Sequence, residues 1–319
     1  MSVVLFAFIL LVPGIAAGQD TAATVRTLGE VLKREYIDVD VAEKAAAALQ
    51  RALTEGRYAG ASTPDALARL LNRDLQDVTR DKHIWVEVVT PAPPSAQPAP
   101  TRSAADADAA RAEGVRRSNA GVRRLEILRG NVGYLDLSSF FRPEEARDTI
   151  TLAMRLLSKA DALIIDMRRN GGGSPGTVAH LLGYLLDAPG ATLFEIVHRP
   201  PEPPDRYALE ATLPAERDGT RPIAVLTSAQ TFSAGEGLAF LLQERHRAEI
   251  VGEVTAGAAN PGRSYPVNDG FRVNVPNGRI KSAVSGGNWE GTGVTPDVKV
   301  PAAEALQTAH EKILRTLGR

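Results

Sequence analysis

Residues 162–173 read ALIIDMRRNGGG, and residues 223–236 read IAVLTSAQTFSAGE. Each stretch begins with a short, continuous apolar run, which is typical of a strand buried on both faces of a parallel sheet. Each run is followed by small or polar residues and then by a segment that predicts a helix. Strands that alternate with helices indicate an α/β fold with a mainly parallel sheet.

The same type of pattern continues on both sides of these two stretches. Residues 122–137 predict a β-hairpin around the turn Arg129-Gly130-Asn131, and a helix is predicted from Pro143. Short strands near 249–252 and 271–275 are predicted to continue the sheet. Together these elements predict a mixed-sheet α/β core over residues 111–319.

The N-terminal part of the chain predicts helices. Apolar residues fall on one helical face at Val25, Leu28, Val31, Leu32 and Tyr36. Asp40 and Glu43 have capping-box spacing, and Thr63-Pro64 predicts a helix start. The predicted organisation has four parts: a signal peptide (1–18), a helical N-terminal domain (19–80), a strand with a Pro/Ala-rich linker (81–110), and the core (111–319).

The third part contains both a strand and a linker. Residues 84–89 (IWVEVV) predict the strand. Residues 90–110 are dense in Pro, Ala and Ser, and we expect them to form a flexible, exposed segment.

Composition excludes several functional classes. The 319 residues carry a net charge of -1, which gives no electrostatic attraction to nucleic acid or to an anionic membrane. There are no cysteines, so disulfides, thiolate catalysis and cysteine metal sites are excluded. The five histidines form no H-E-x-x-H pair, so no metal and no cofactor are predicted.

The first residues predict export. Val3 to Ala17 form an apolar run that is shorter than a typical membrane-spanning helix. The small residues Ala16-Ala17-Gly18 stand at its end. A signal peptide cut near Gly18 is expected, although no Lys or Arg precedes the run; an uncleaved anchor or a misassigned start are the alternatives. The expected location is the periplasm or the exterior, with no membrane span after cleavage.

Four short motifs carry candidate chemistry, and each has a purely structural alternative. The Gly171-Gly172-Gly173 loop can expose backbone N–H groups to an anion or form a tight turn. Ser233 can be a nucleophile at the carboxyl edge of the sheet or a helix cap. A catalytic and a structural alternative also apply to His83, before the strand at 84–89, and to Glu290, in a glycine-rich turn.

The order of these motifs resembles one peptidase family. D-x-R-x-N-G-G-G, S-A-G-E and E-G-x-G-V-x-P-D are similar to motifs of the tail-specific, carboxyl-terminal processing serine peptidases. The resemblance covers roughly residues 81–300 and includes the tricorn core protease and the interphotoreceptor retinoid-binding protein. It implies a crotonase-like ββα architecture. The stretch from Thr90 has no strand pattern large enough for the PDZ module of many relatives.

The resemblance also implies a catalytic set. Tail-processing enzymes pair the serine with a lysine about 25 positions downstream, but Ala258 stands there. The tricorn-like variant implies Ser233 as nucleophile, His83 as base and Glu290 as orienting carboxylate, with the amides of Gly172 and Ala234 as oxyanion hole. Tricorn-type enzymes carry a relay serine where this chain has Lys82, which could instead contact Glu290.

The resulting hypothesis is a serine endopeptidase that acts on exported or unfolded polypeptides. The alternative is a catalytically inactive binding module for small apolar ligands of the retinoid or fatty-acid type. A third hypothesis is a scaffold for partner proteins. The sequence indicates neither the cleavage preference nor the oligomeric state.

Overall fold

The computed structural model describes residues 20–89, 104–213 and 217–319. The helices in these ranges are α1 (Thr21–Glu35), α2 (Val39–Thr54), α3 (Pro64–Thr79), α4 (Ala104–Arg117), α5 (Pro143–Leu156), α6 (Pro175–Leu185), α7 (Ala234–Gln243) and α8 (Ala305–Thr316). The strands in these ranges are β1 (Trp85–Val88), β2 (Val122–Leu128), β3 (Val132–Leu137), β4 (Ala162–Asp166), β5 (Thr192–His198), β6 (Asp205–Ala208), β7 (Ile223–Thr227), β8 (Glu249–Gly252), β9 (Gly262–Asn268), β10 (Phe271–Pro276), β11 (Gly278–Ser282) and β12 (Val298–Lys299).

The largest sheet has the strand order β12-β8-β7-β4-β3-β2. All neighbouring pairs are parallel except β2 and β3, which form the predicted hairpin. Leu163 and Ile165 of β4 pack into the core shared with α5, α6 and α7, whereas Ala162 and Ile164 pack into the core shared with α8. Because both faces are covered, β4 is apolar throughout, and the predicted mixed-sheet α/β fold is confirmed.

A second, antiparallel sheet lies under the N-terminal helices, in the order β1-β10-β9. The predicted helix face of α1 is buried against it. The prediction that residues 271–275 continue the large sheet is wrong. Phe271, Val273 and Val275 are buried beneath the helices, while Arg272 and Asn274 between them are only partly buried. This alternation is typical of a sheet that is covered on one face only.

The helix boundaries follow their capping residues. Thr63 caps α3 as predicted, since its side chain accepts a hydrogen bond from the Ala66 N–H. Helix α2 starts earlier than predicted, because Asp38 rather than Asp40 is the N-cap and accepts from the Val41 N–H at 3.2 Å.

Part of the predicted linker is helical. Helix α4 begins at Ala104, inside the 90–110 segment, so the prediction of a flexible segment is wrong for 104–110. The reason is that alanine has the highest helix propensity, and no proline occurs between Pro100 and Pro143. Residues 90–103 and the predicted signal peptide lie outside the described residues. No helix within the described ranges combines the length and apolar character needed to span a bilayer.

Candidate active site

Ser233 sits at the turn between β7 and α7, where it is the N-cap of the helix. Its backbone has φ 51° and ψ -122°, which a non-glycine residue rarely adopts, and strained residues of this kind cluster at functional sites. The adjacent loop after β4 approaches closely: a Cβ placed on Gly172 would lie 2.7 Å from the Cβ of Ser233. Glycine is therefore required at this position, which also has φ +92°.

The carboxylate of Glu236 fixes this turn and was assigned no role in the sequence analysis. It is fully buried and accepts hydrogen bonds from the Ser233 N–H, the Thr255 hydroxyl, and the N–H groups of Gly257 and Ala258, over 2.6–3.0 Å. Burial raises the pKa of Glu236, while these hydrogen bonds lower it. Its capping-box spacing from Ser233 is the sequence signal that could have identified it.

The side chain of His83 lies beside the serine turn. It is 7% exposed, and its ring centroid lies 4.8 Å from that of Phe232, the residue before Ser233. The backbone N–H of His83 donates to Asp81 Oδ1 at 2.9 Å. Burial lowers the pKa of His83 to about 4, so at neutral pH the imidazole is uncharged, which is the form that can accept a proton.

Glu290 lies close to His83. Its Oε2 accepts the N–H groups of Ala259 (2.6 Å) and Asn260 (2.9 Å). Burial, together with the charge of Asp81, raises the pKa of Glu290 to about 7. One polar side-chain atom from each of Asp81, His83 and Glu290 lies within 4.8 Å of the others. His83 Nδ1 has no hydrogen-bond partner among the described residues, so the His83–Glu290 hydrogen bond is not formed in this structure.

Lys82 does not contact Glu290, contrary to the possibility raised from the sequence. Its Nζ donates to the backbone oxygen of Ala256 at 2.5 Å. Ala258, at the position where relatives of the tail-processing type carry a lysine, is fully buried, and its backbone oxygen accepts from Trp289 Nε1 at 2.9 Å.

The backbone N–H groups around Ser233 differ in availability. Gly172 N–H donates to Asn170 Oδ1 at 2.8 Å and is therefore occupied. Gly173 forms an isolated β-bridge with Phe140. The two hydrogen bonds of this bridge run from the Phe140 N–H to the Gly172 oxygen and from the Ser174 N–H to the Phe140 oxygen, so the Gly173 N–H takes no part in it. Within the described ranges, neither Gly173 N–H nor Ala234 N–H has an acceptor.

A mostly apolar cavity of about 250 Å³ opens beside the serine. It is lined by Gly173, Pro175, Val178, Phe194, Ser233, Ala234, Gly237, Leu241, Ala259, Pro261, Gly262, Ile280 and Trp289. The residues that line the cavity therefore include the nucleophile candidate and the two residues with free N–H groups, and most of the remaining wall is apolar.

Comparisons with known proteins identify the family and the fold of the chain. The family model described as "Peptidase family S41" matches residues 131–300, and one described as the N-terminal domain of this family in eukaryotic IRBP matches residues 15–118. The carboxy-terminal processing protease CtpB of Bacillus subtilis is 27% identical over 175 residues, which is 53% of this chain and 34% of that protein. The match thus spans about a third of that relative's length.

Two solved structures show the shared fold. A putative peptidase from Parabacteroides merdae has a TM-score of 0.62 at 16% identity, and the alignment covers 92% of this chain and 96% of that one. The tricorn protease has a TM-score of 0.54 at 12% identity, with 92% of this chain and 37% of that chain covered. Because the first family model spans more than half of the 319 residues, this chain belongs to peptidase family S41.

Proposed function

We propose that the chain is a serine endopeptidase that hydrolyses peptide bonds of exported or unfolded polypeptides by a Ser-His-Glu mechanism. One observation carries the proposal: Ser233, His83 and Glu290 come from three distant segments but are linked in space. Ser233 lines the cavity and follows Phe232, whose ring contacts that of His83, and a polar side-chain atom of His83 lies within 4.8 Å of one of Glu290. Convergence of a nucleophile, a base and an orienting carboxylate defines a triad by geometry rather than by chain order.

The roles follow from the chemistry of each group. Neutral His83 takes the proton of the Ser233 hydroxyl while Oγ bonds to the substrate carbonyl carbon. The imidazolium then gives that proton to the leaving nitrogen as the C–N bond breaks, and water releases the acyl group by the same steps. Glu290, held by two backbone N–H groups, is the proposed acceptor of a hydrogen bond from His83 Nδ1.

Backbone N–H groups would stabilise the oxyanion of the tetrahedral intermediate. Ala234 is suited to this role, since its N–H lies at the start of α7, where the helix dipole favours negative charge. Gly173 takes the place expected for Gly172 in this proposal, because the Gly172 N–H is already bonded to Asn170. Gly172 contributes the close approach that only a residue without a Cβ permits.

The cavity suggests the preference for the substrate. Its apolar wall, formed in part by Val178, Leu241 and Trp289, suits an apolar side chain next to the scissile bond. Residues of this type are exposed in unfolded polypeptides. The apolar segment at Val3–Ala17 favours export, so the proposed substrates are exported chains.

The alternative, a binding module for retinoid-like or fatty-acid ligands, has less support. Ligand pockets usually have volumes of roughly 300–1,000 Å³, and the cavity beside Ser233 has about 250 Å³. A binding module also needs neither the strained backbone at Ser233 nor the base and carboxylate beside it.

The test is hydrolysis of an unfolded polypeptide by the wild type and three variants. Ser233→Ala and His83→Ala should each lose activity by a large and similar factor, and the double variant should lose little more, because the two groups act as one unit. Glu290→Gln should lose less, since it transfers no proton. Activity that survives in Ser233→Ala would refute the proposal.

A further inference from the structure

Two carboxylates, the buried Asp81 and the partly buried Glu290, lie next to His83. Asp81 is 2% exposed, and its oxygens accept from the His83 N–H, Tyr36 Oη (3.1 Å) and Asn260 Nδ2 (3.4 Å). Carboxylates that are removed from water are normally paired with a cation or bound to a metal ion. No lysine or arginine of the described ranges is among the hydrogen-bond partners of Asp81 and Glu290.

His83 adds an unpartnered nitrogen donor to the same place. His83 is only 7% exposed, and its buried Nδ1 has no hydrogen-bond partner among the described residues. An imidazole nitrogen and two carboxylate oxygens form a ligand set that suits zinc and similar divalent transition metals.

We propose that Asp81, His83 and Glu290 form a binding site for a single divalent transition-metal ion of the zinc type. The three candidate ligand atoms lie within 4.8 Å of one another. Zinc at roughly 2.0–2.2 Å from each ligand places tetrahedral ligands about 3.4 Å apart, so the side chains need to close by about 1.5 Å at most.

The surroundings already hold these ligands in place. Glu290 is anchored through Oε2 by two backbone N–H groups, which leaves Oε1 for the ion. Asp81 is anchored by Tyr36 from the end of α1. Hydrogen bonds of this kind orient metal ligands and increase their affinity. The fourth coordination position would be taken by water.

Occupancy has a consequence for catalysis, and this part rests on the proposed function. When Nδ1 of a neutral imidazole binds a metal ion, the ring proton stays on Nε2. Neither nitrogen of His83 can then accept the proton of Ser233. The ion would therefore inhibit hydrolysis, and a chelator would restore it.

The experiment measures binding separately from activity. Protein without a polyhistidine tag is titrated with zinc chloride by calorimetry, and cobalt chloride is added in parallel to follow visible absorption. Wild type and Ser233→Ala should bind one ion with equal affinity. Asp81→Asn, His83→Ala and Glu290→Gln should each weaken binding by at least about tenfold. His310→Asn is the matched control, because His310 contacts the Arg129 backbone instead and should leave the affinity unchanged.

The outcomes separate this site from the peptidase proposal. Absence of a one-to-one site in wild type, or unchanged affinity in Glu290→Gln and His83→Ala, overturns the metal site whatever the activity. Because binding is measured in Ser233→Ala as well, an inactive enzyme does not affect the result. Tight binding at the three residues without loss of hydrolysis would support the metal site and refute His83 as the base.

Discussion

Replacing Glu290 by glutamine should make the folded protein more stable at alkaline pH while it reduces activity. Burial and the charge of Asp81 raise the pKa of Glu290 from 4.5 to about 7. A carboxyl whose folded-state pKa lies above its unfolded value stabilises the fold below pH 4.5, and that contribution is lost as the pH rises through about 7. The ionised form of Glu290 is therefore unfavourable in the folded state.

The magnitude follows from the size of this rise. A change from 4.5 to about 7 corresponds to about 3 kcal/mol at pH 8. The carboxyl is only partly buried, so solvent screening reduces this to about 1–2 kcal/mol. A glutamine oxygen can still accept the N–H groups of Ala259 and Asn260, so Glu290→Gln should gain this free energy of unfolding at pH 8 and almost none at pH 4.

The assay is thermal unfolding of wild type and Glu290→Gln between pH 4 and pH 8. The midpoint of the variant should exceed that of wild type by a few degrees at pH 8, and the two should coincide at pH 4. Glu253→Gln is the control of opposite sign. Hydrogen bonds from Ala302 and Ala229 lower the pKa of Glu253, so its replacement should lower the midpoint above pH 4.5. A lower midpoint for Glu290→Gln at pH 8, or a difference independent of pH, would refute the reasoning.

Three further predictions concern activity and the serine turn. The rate of hydrolysis at low substrate concentration should rise with pH through about 7 as Glu290 ionises. In Glu290→Gln this rise should disappear, and an unchanged pH profile in the variant would contradict the role of Glu290. Glu236→Gln should lower the free energy of unfolding by about 2–4 kcal/mol and abolish hydrolysis, because one amide oxygen cannot accept four buried donors. Denaturant titration measures the stability, and a wild-type free energy of unfolding would contradict this prediction. Val178→Phe should take up part of the 250 Å³ cavity and reduce cleavage after large apolar residues more than after alanine, measured on a peptide series; an unchanged ratio would place the specificity pocket elsewhere.

The sequence predicts the sheet that carries the nucleophile because its signals are local. The apolar runs of β4 and β7 and the residues after them specify two neighbouring parallel strands whose carboxyl ends meet. The loops that follow are joined by the Phe232 N–H, which donates to the Asn170 oxygen at 3.0 Å. This contact brings the glycine loop to Ser233.

Other features depend on contacts between distant residues. Periodicity shows that residues 271–275 form a strand, but not that β10 pairs with β1, which is almost 190 positions earlier. The burial of Asp81 beside Glu290 depends on that pairing, so it has no sequence signal. The identity of the occupied N–H, Gly172 rather than Gly173, is decided by the rotamer of Asn170, which no local pattern specifies.

Labelling with a fluorophosphonate probe tests the central claim most directly, because only a serine activated by a neighbouring base reacts readily. The probe should form one adduct, which peptide mass spectrometry should locate at Ser233. His83→Ala should slow labelling by a large factor, while His310→Asn should label at the wild-type rate. An adduct at a different serine, or labelling of His83→Ala at the wild-type rate, would contradict the assignment of Ser233 and His83.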